Sequence, residues 1–347
     1  MTNIGIAGIG FMGWIHYLAY QRTEDATIAA ICEVDKKRLA GDWRDIKGNF
    51  GPPGEQVDVS NMARYEKFDD LVADPNIDLI DICLPPAAHA DAAVKALEHG
   101  KHVFCEKPMA LTTADCDRMV AAAEKAGKLI MIGHVLPMHI QYQFARQATL
   151  DGRYGKLLGG HFRRVISDPL WLKDFYDPKL VGGPLLDLHI HDAHFIRLLF
   201  GMPRSVKSQG RMRGEVVEYC NTFFQFDDPD LVVSATSGVI NQQGRPFDHG
   251  YEIHFEKATL LFEFAVYGDQ GKQLMPLTVL DDQGKVIEPE IDPGDEITPF
   301  AAEIREVLDA IQAGQPSPIL GGSLARDAIV LCHKQTEAVR SGATVEV

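Results

Sequence analysis

The chain has 347 residues, a formal net charge of −15, and 46% apolar against 24% charged residues. That balance is globular and long enough for about two domains with substantial cores, and its sign argues against nucleic acid or an anionic membrane as partner. No apolar run reaches the length of a membrane span and no basic, apolar leader precedes the first strand. The six cysteines (Cys32, Cys83, Cys105, Cys116, Cys220, Cys332) show no paired or metal-type spacing, so reduced cysteines in a cytoplasmic protein are expected.

Ile4 to Ala7 form a short apolar run, followed by Gly8, Gly10 and Gly13 in G-x-G-x-x-G spacing around Phe11 and Met12, then by a helical stretch from Trp14 to Gln21. A strand, a glycine turn and a helix in that order form a dinucleotide-binding fingerprint. Gly8 permits the tight turn, Gly10 leaves room for a pyrophosphate, and Gly13 lets the helix close on the strand. The helix N-terminus offers unpaired N–H groups to the phosphates. Thr27 to Cys32 reads as the second strand, with Glu33 at its end. A carboxylate there can accept hydrogen bonds from a ribose diol and repel a 2′-phosphate. The cofactor expected is NAD, with NADP as the alternative through the basic run Lys36–Arg38, whose plainer reading is a solvated helix face capped by Asp35. An ordinary tight turn with a solvated strand-end acid is the plainer reading of the whole motif.

Gly48 to Gly54 is a loop, with a third strand expected near Val57–Val59 and a helix from Tyr65 to Ala73. Ile77 to Leu84 is apolar enough to be buried on both faces and is stopped by Pro85 and Pro86. Ala87 to His99 is a helix closed by Gly100. Lys101 to Cys105 is a strand that delivers Glu106, Lys107 and Pro108, Thr112 to Ala126 a helix, and Leu129 to Gly133 the sixth strand. This alternation over residues 1–133 predicts a doubly wound parallel sheet in an α/β fold. Ligands of such sheets sit at the carboxyl ends of the strands, so Gly8–Gly13, Leu84–Pro86 and Glu106–Lys107 are expected to converge. Residues 134–347 read as a second, α+β domain with a large open, mostly antiparallel sheet. Its strands are expected at 156–167, 204–212, 216–227, 230–239, 249–256, 259–266 and 275–281, and its helices at 140–150, 185–200, 297–313 and 322–340. A sheet face this wide suits packing against another copy of the chain.

Lys107 follows a buried strand and precedes a proline. Such a lysine could polarise a substrate oxygen or transfer its proton, although a strand-end lysine alone is the plainer reading. Gly182-Gly183-Pro184 breaks the chain and starts a helix on which Asp187 and His191 share a face, with His194 continuing it. A carboxylate beside an imidazole fixes its tautomer and raises its basicity. His189 lies about 200° round a regular helix and stays out of that group unless the helix starts later. Asp187, His191 and His194 could instead ligate a metal, or form a polar face satisfied by neighbours; no metal is the expectation. Trp171 reads equally as a sugar-facing aromatic or as core.

Taken in order, GIGFMG, the acid of ICEVD, the step Pro85–His89, CEKP at Cys105–Pro108 and GGPLLDLHIH at Gly182–His191 resemble the Gfo/Idh/MocA oxidoreductase family, over essentially the whole chain. The resemblance implies a Rossmann domain followed by a substrate-binding and oligomerisation domain, bound NAD or NADP, and dimers or tetramers packed through the sheets. It implies hydride transfer at a secondary alcohol or ketone of a sugar, cyclitol or related polyol. It also implies that Lys107 contacts nicotinamide and substrate, that Asp187 and His191 complete the catalytic group, and that Leu84, Pro85, His89 and Glu106 lie by the cofactor. Pro86 stands where the family often has asparagine, His189 where glycine is usual, His194 where an acid is often found, and Pro137 in a stretch that often carries arginine. The expectation is a cofactor side left nearly intact and a substrate side crowded with imidazoles at His134, His139, His189, His191 and His194. An NAD-dependent glycosidase or lyase using transient oxidation, and a non-catalytic nucleotide-binding regulator, are the alternatives.

Overall fold

In the computed structural model, which describes residues 1–347, the N-terminal apolar runs become six short strands. They are β1 (Thr2–Ala7), β2 (Ala26–Cys32), β3 (Ala63–Tyr65), β4 (Leu79–Ile82), β5 (His102–Glu106) and β6 (Ile130–Gly133). All pair in parallel in the order β3-β2-β1-β4-β5-β6, so the topology reverses between β1 and β4, where such sheets bind ligands. β4 is buried throughout, as a strand covered on both faces should be. The connecting helices are α1 (Phe11–Tyr20), α2 (Lys36–Leu39), α3 (Phe68–Ala73), α4 (His89–Glu98) and α5 (Thr113–Ala126). Asp35 caps α2 by accepting the N–H groups of Lys37 and Arg38. Thr112 caps α5 in the same way, and Gly127 ends it in the left-handed region.

The third strand forms at Ala63–Tyr65, not at Val57–Val59, and the helix expected from Tyr65 starts only at Phe68. Val57 and Val59 are buried without being strand residues. They anchor a long loop in which Val57 N–H donates to the Gly41 carbonyl and the Trp43 indole to the Arg38 carbonyl. Apolar residues there serve packing, which a pattern of two valines does not distinguish from pairing.

The chain divides into two compact units, Met1–Met138 with Gly294–Arg326, and His139–Pro293 with Asp327–Val347. The return of residues 294–326 to the first unit is explained by α8 (Thr298–Ala313), which packs on α1. Its Phe300 stacks on Phe50 at 5.5 Å, and just before it Asp295 receives a two-bond fork from Arg22 (2.7 Å each).

The second unit holds β7 (Leu157–Ser167), β8 (Ser205–Arg213), β9 (Val216–Gln225), β10 (Val232–Ile240), β11 (Phe247–Phe255), β12 (Ala258–Tyr267), β13 (Gln270–Asp281), β14 (Val286–Ile287) and β15 (Thr344–Glu346). Their order is β14-β13-β12-β11-β7-β10-β9-β8-β15, antiparallel except for the β7–β10 pair. β14 and β15 are too short to stand out in the sequence. The helices are α6 (Ile140–Asp151), α7 (Ile190–Phe200) and α9 (Gly322–Ser341), whose first residues belong to the first unit. A regular α-helix was expected from Leu185, but Leu185–His189 is a π turn that leads into α7.

Inside this unit the Arg164 guanidinium grips the Asp192 carboxylate with two bonds, of 2.8 and 3.1 Å. Both side chains are almost wholly buried. Burial lifts Asp192 above the usual carboxylate range, and the guanidinium opposes that shift. The Tyr142 hydroxyl and His249 Nδ1 are hydrogen-bonded at 2.9 Å in the same interior. Burial, followed by the charge of Arg164, pushes His139 down to about 4 and His189 down to about 3.

Two outcomes follow for stability. Asp192→Ala strands a buried guanidinium and costs about 3–5 kcal/mol, and Arg164→Met with Asp192→Leu recovers most of it; urea unfolding of the three proteins measures this. His139 and His189 stay neutral in the folded chain while their unfolded forms take up protons below about 6.5. Stability therefore falls as pH drops from about 6.5 towards 4, and thermal scans show His189→Gln flattening that slope.

Candidate active site

The first unit carries the dinucleotide fingerprint in the geometry the glycines predict. Gly8 has φ +94°, and a Cβ there would sit 2.7 Å from the Cys83 carbonyl oxygen. A Cβ on Gly13 would collide with the Gly8 carbonyl oxygen, so only glycine lets α1 start this close to the β1 turn. At Gly10 the position of a Cβ is open, with no atom within 4 Å. That open space is the room a pyrophosphate requires, and α1 begins there with no side-chain cap on its first N–H groups. Phe11 packs edge-on against Phe50 at 4.8 Å, and Met12 beside it is half-buried.

Glu33 closes the other side of the loop. Its carboxylate accepts the N–H of Ile9 at 2.8 Å and of Asp35 at 2.9 Å, which ties the end of β2 to the fingerprint. Arg38, one of the basic residues considered for a 2′-phosphate, is engaged elsewhere. It donates to Asp45 (2.8 and 3.4 Å) and to the Ile9 carbonyl (3.2 Å). The residues present therefore fit NAD: an uncrowded phosphate turn, an uncapped helix start and a fixed acid at the ribose position.

Leu84 and Pro85 follow β4, and Glu106 and Lys107 end β5, at the same edge of the sheet as the fingerprint. Two residues expected to lie by the cofactor have side chains hydrogen-bonded within the protein. His89 is fully buried, with Nδ1 2.8 Å from the Pro108 carbonyl and Nε2 2.7 Å from the Leu84 carbonyl. It braces two strand-end loops against each other. The Glu106 carboxylate is also buried; it accepts from His16 Nε2 at 3.0 Å and from the Lys107 N–H at 3.1 Å. Lys107 itself is half-buried, and its peptide bond to Pro108 is cis. His134, just after β6, is wholly buried.

In the second unit Asp187 lies in the π turn and His191 in the first turn of α7, both half-buried, while His194 is fully buried. The wide turn falls at the Gly182–Pro184 break, and π turns of this kind concentrate at functional sites. The imidazoles do not all crowd one side as expected. His189 is buried and, like His139, feels the Arg164 charge. Both belong to the polar interior of this unit. Trp171 is 72% exposed on the loop after β7, so it is not core.

Two groups went unread in the sequence. One is the set His16, Asp81, Cys83 and Glu303 beneath the fingerprint, and the other is the Arg164–Asp192 fork. The signal for the first was available: Asp81 is a lone charge in a buried strand, and His16 stands three residues past Gly13.

Comparison with known proteins agrees with this geometry. Residues 2–134 match the family model described as an oxidoreductase family with an NAD-binding Rossmann fold, and residues 142–261 match the Gfo/Idh/MocA C-terminal domain. The chain is 30% identical over 200 residues to myo-inositol 2-dehydrogenase of Thermotoga maritima, covering 57% of this chain and 55% of that one. It is 33% identical over 239 residues to 2,7-anhydro-N-acetylneuraminate hydratase of Mediterraneibacter gnavus, covering 66% and 57%. The aligned stretch thus spans a little over half of each of these relatives. Aldose-aldose oxidoreductase of Caulobacter crescentus, solved with glycerol, shares the fold at a TM-score of 0.80 and 23% identity, covering 100% of this chain and 99% of that one. With both of its domains matched, a parallel sheet that carries the fingerprint and a nine-stranded second sheet, the chain belongs to the Gfo/Idh/MocA family of NAD-binding oxidoreductases.

Proposed function

We propose that this protein is an NAD-dependent dehydrogenase or reductase that interconverts a secondary alcohol and a ketone on a sugar, cyclitol or related polyol. The observation that carries the reading is the fingerprint itself: an open Gly10 turn with Glu33 pinned to Ile9, and Lys107 ending a strand at the same sheet edge. Bound NAD supplies the hydride acceptor. His191, oriented by Asp187, takes the proton of the substrate hydroxyl, and Lys107 holds the oxygen and stabilises the negative charge that develops on it. Either Lys107 or His191 can be the formal base. His134, His194 and the exposed Trp171 are proposed to contact the substrate, Trp171 as an aromatic surface for a sugar face.

The similarity to a 2,7-anhydro-N-acetylneuraminate hydratase favours one second reading, elimination or hydration driven by transient oxidation of the substrate. A regulator without catalysis is disfavoured because Lys107, Asp187 and His191 are all present. The wide second sheet exposes Phe223 (58%) and Val232 (66%), which supports a homodimer or homotetramer formed through that face. None of the six cysteines is paired, and no helix is long and apolar enough to cross a membrane. The unpaired cysteines support a reducing, cytoplasmic location.

A panel of polyols, cyclitols and anhydro sugars that includes myo-inositol, followed at the NADH absorbance band, tests the main reading. At least one compound reduces NAD⁺, and Lys107→Ala and His191→Ala each lower kcat on it by about a hundredfold or more. Both variants within a few-fold of the parent would sink the assignment. Product formed with no net NADH selects the transient-oxidation reading.

A further inference from the structure

Beneath the fingerprint the first unit buries four ionisable side chains that the mechanism above does not use. His16 on α1 is wholly buried. Its Nδ1 lies 2.9 and 3.1 Å from the two Asp81 oxygens, and its Nε2 lies 3.0 Å from Glu106 Oε1. The ring stacks on Phe104 at 5.2 Å and 12°, and the Cys83 sulfur sits 3.4 Å from Nδ1. The ring is thus hydrogen-bonded through both nitrogens, to one carboxyl group on each side. Burial alone would lower the pKa of His16, but Asp81, then Cys83, hold it well above its ordinary value. Glu303 on α8 is also wholly buried, and neither of its oxygens has a hydrogen-bond partner. Burial, with the charge of Glu106, raises it well above the usual carboxylate range.

The arrangement continues outward. The second Glu106 oxygen accepts the Lys107 backbone N–H at 3.1 Å. Gly133 on β6 leaves the space for this carboxylate, since a Cβ there would lie 2.9 Å from Glu106 Oε1. We propose that His16 is a positioning residue: held by Asp81, it fixes the Glu106 carboxylate, which in turn fixes the Lys107 backbone at the nicotinamide end of the cofactor site. The turn that receives the pyrophosphate is set by Gly8 and Gly13 and does not depend on this ring. The inference rests on reading Lys107 as the residue at the nicotinamide end.

Calorimetric titration with NADH and with ADP-ribose, which lacks the nicotinamide, separates this role from a general structural one. His16→Gln is expected to weaken NADH by about tenfold while ADP-ribose stays within about twofold. Equal weakening of both ligands, or of neither, overturns the proposal. If His16→Gln does not fold, Glu106→Gln decides, because the ring then keeps Asp81 and α1 is untouched. NADH-selective weakening in that variant supports the proposal, and unchanged NADH binding overturns it. Wild-type protein that binds no NADH would instead overturn the cofactor reading, so the two failures are distinguishable.

Discussion

The first unit depends on a contact that only glycine permits. α1 can start against the end of β1 because Gly13 has no Cβ to strike the Gly8 carbonyl, and Gly8 itself turns in the left-handed region against Cys83. That close approach has three consequences. It aims the first N–H groups of α1 at open space before Gly10. It brings Ile9 within reach of the Glu33 carboxylate. It also carries His16, one turn further on, down to Asp81 and Glu106 at the ends of neighbouring strands. The phosphate room, the pinned Glu33 and the buried His16 ring all follow from the same turn.

Each unit solves the burial of charge in its own way. A buried ion is expensive unless its partner meets it with good geometry. The second unit uses a guanidinium fork on a single carboxylate and surrounds it with neutral histidines. The first places the His16 ring between Asp81 and Glu106, which raises His16 above its ordinary range, and buries Glu303 nearby. Both arrangements lie directly behind residues assigned to chemistry, Asp192 next to His191 and Glu106 next to Lys107. Apolar packing holds elements together without fixing rotation; these charge-assisted bonds fix it.

The sequence showed most of the architecture because its signals are local. Glycine spacing, buried parallel strands and Gly or Thr caps report on a few adjacent residues, and the six parallel strands and most of the second sheet follow them. β3 was misplaced because Val57 and Val59 pack a loop, and β14 and β15 are too short to show a period. The π turn at Leu185–His189 could not be read, since the same residues fit a regular α-helix. The turn geometry was legible where one motif defines one backbone constraint, as for Gly8 and Gly13. The site was not legible for His89 and Glu106, whose side chains turn inward to partners 19 and 90 residues away. His139 and His189 were placed on the substrate side because nothing local reveals Arg164.

The central claim is that a fixed Glu33 beside an open glycine turn makes this an NAD site. Its most direct test is titration of the purified protein with NADH and NADPH under the same conditions. The account predicts NADH binding at least about tenfold tighter than NADPH, because Glu33 is proposed to meet the ribose and Arg38 is held by Asp45. Equal or tighter binding of NADPH would contradict the role of Glu33, and binding of neither would contradict the reading of the fingerprint.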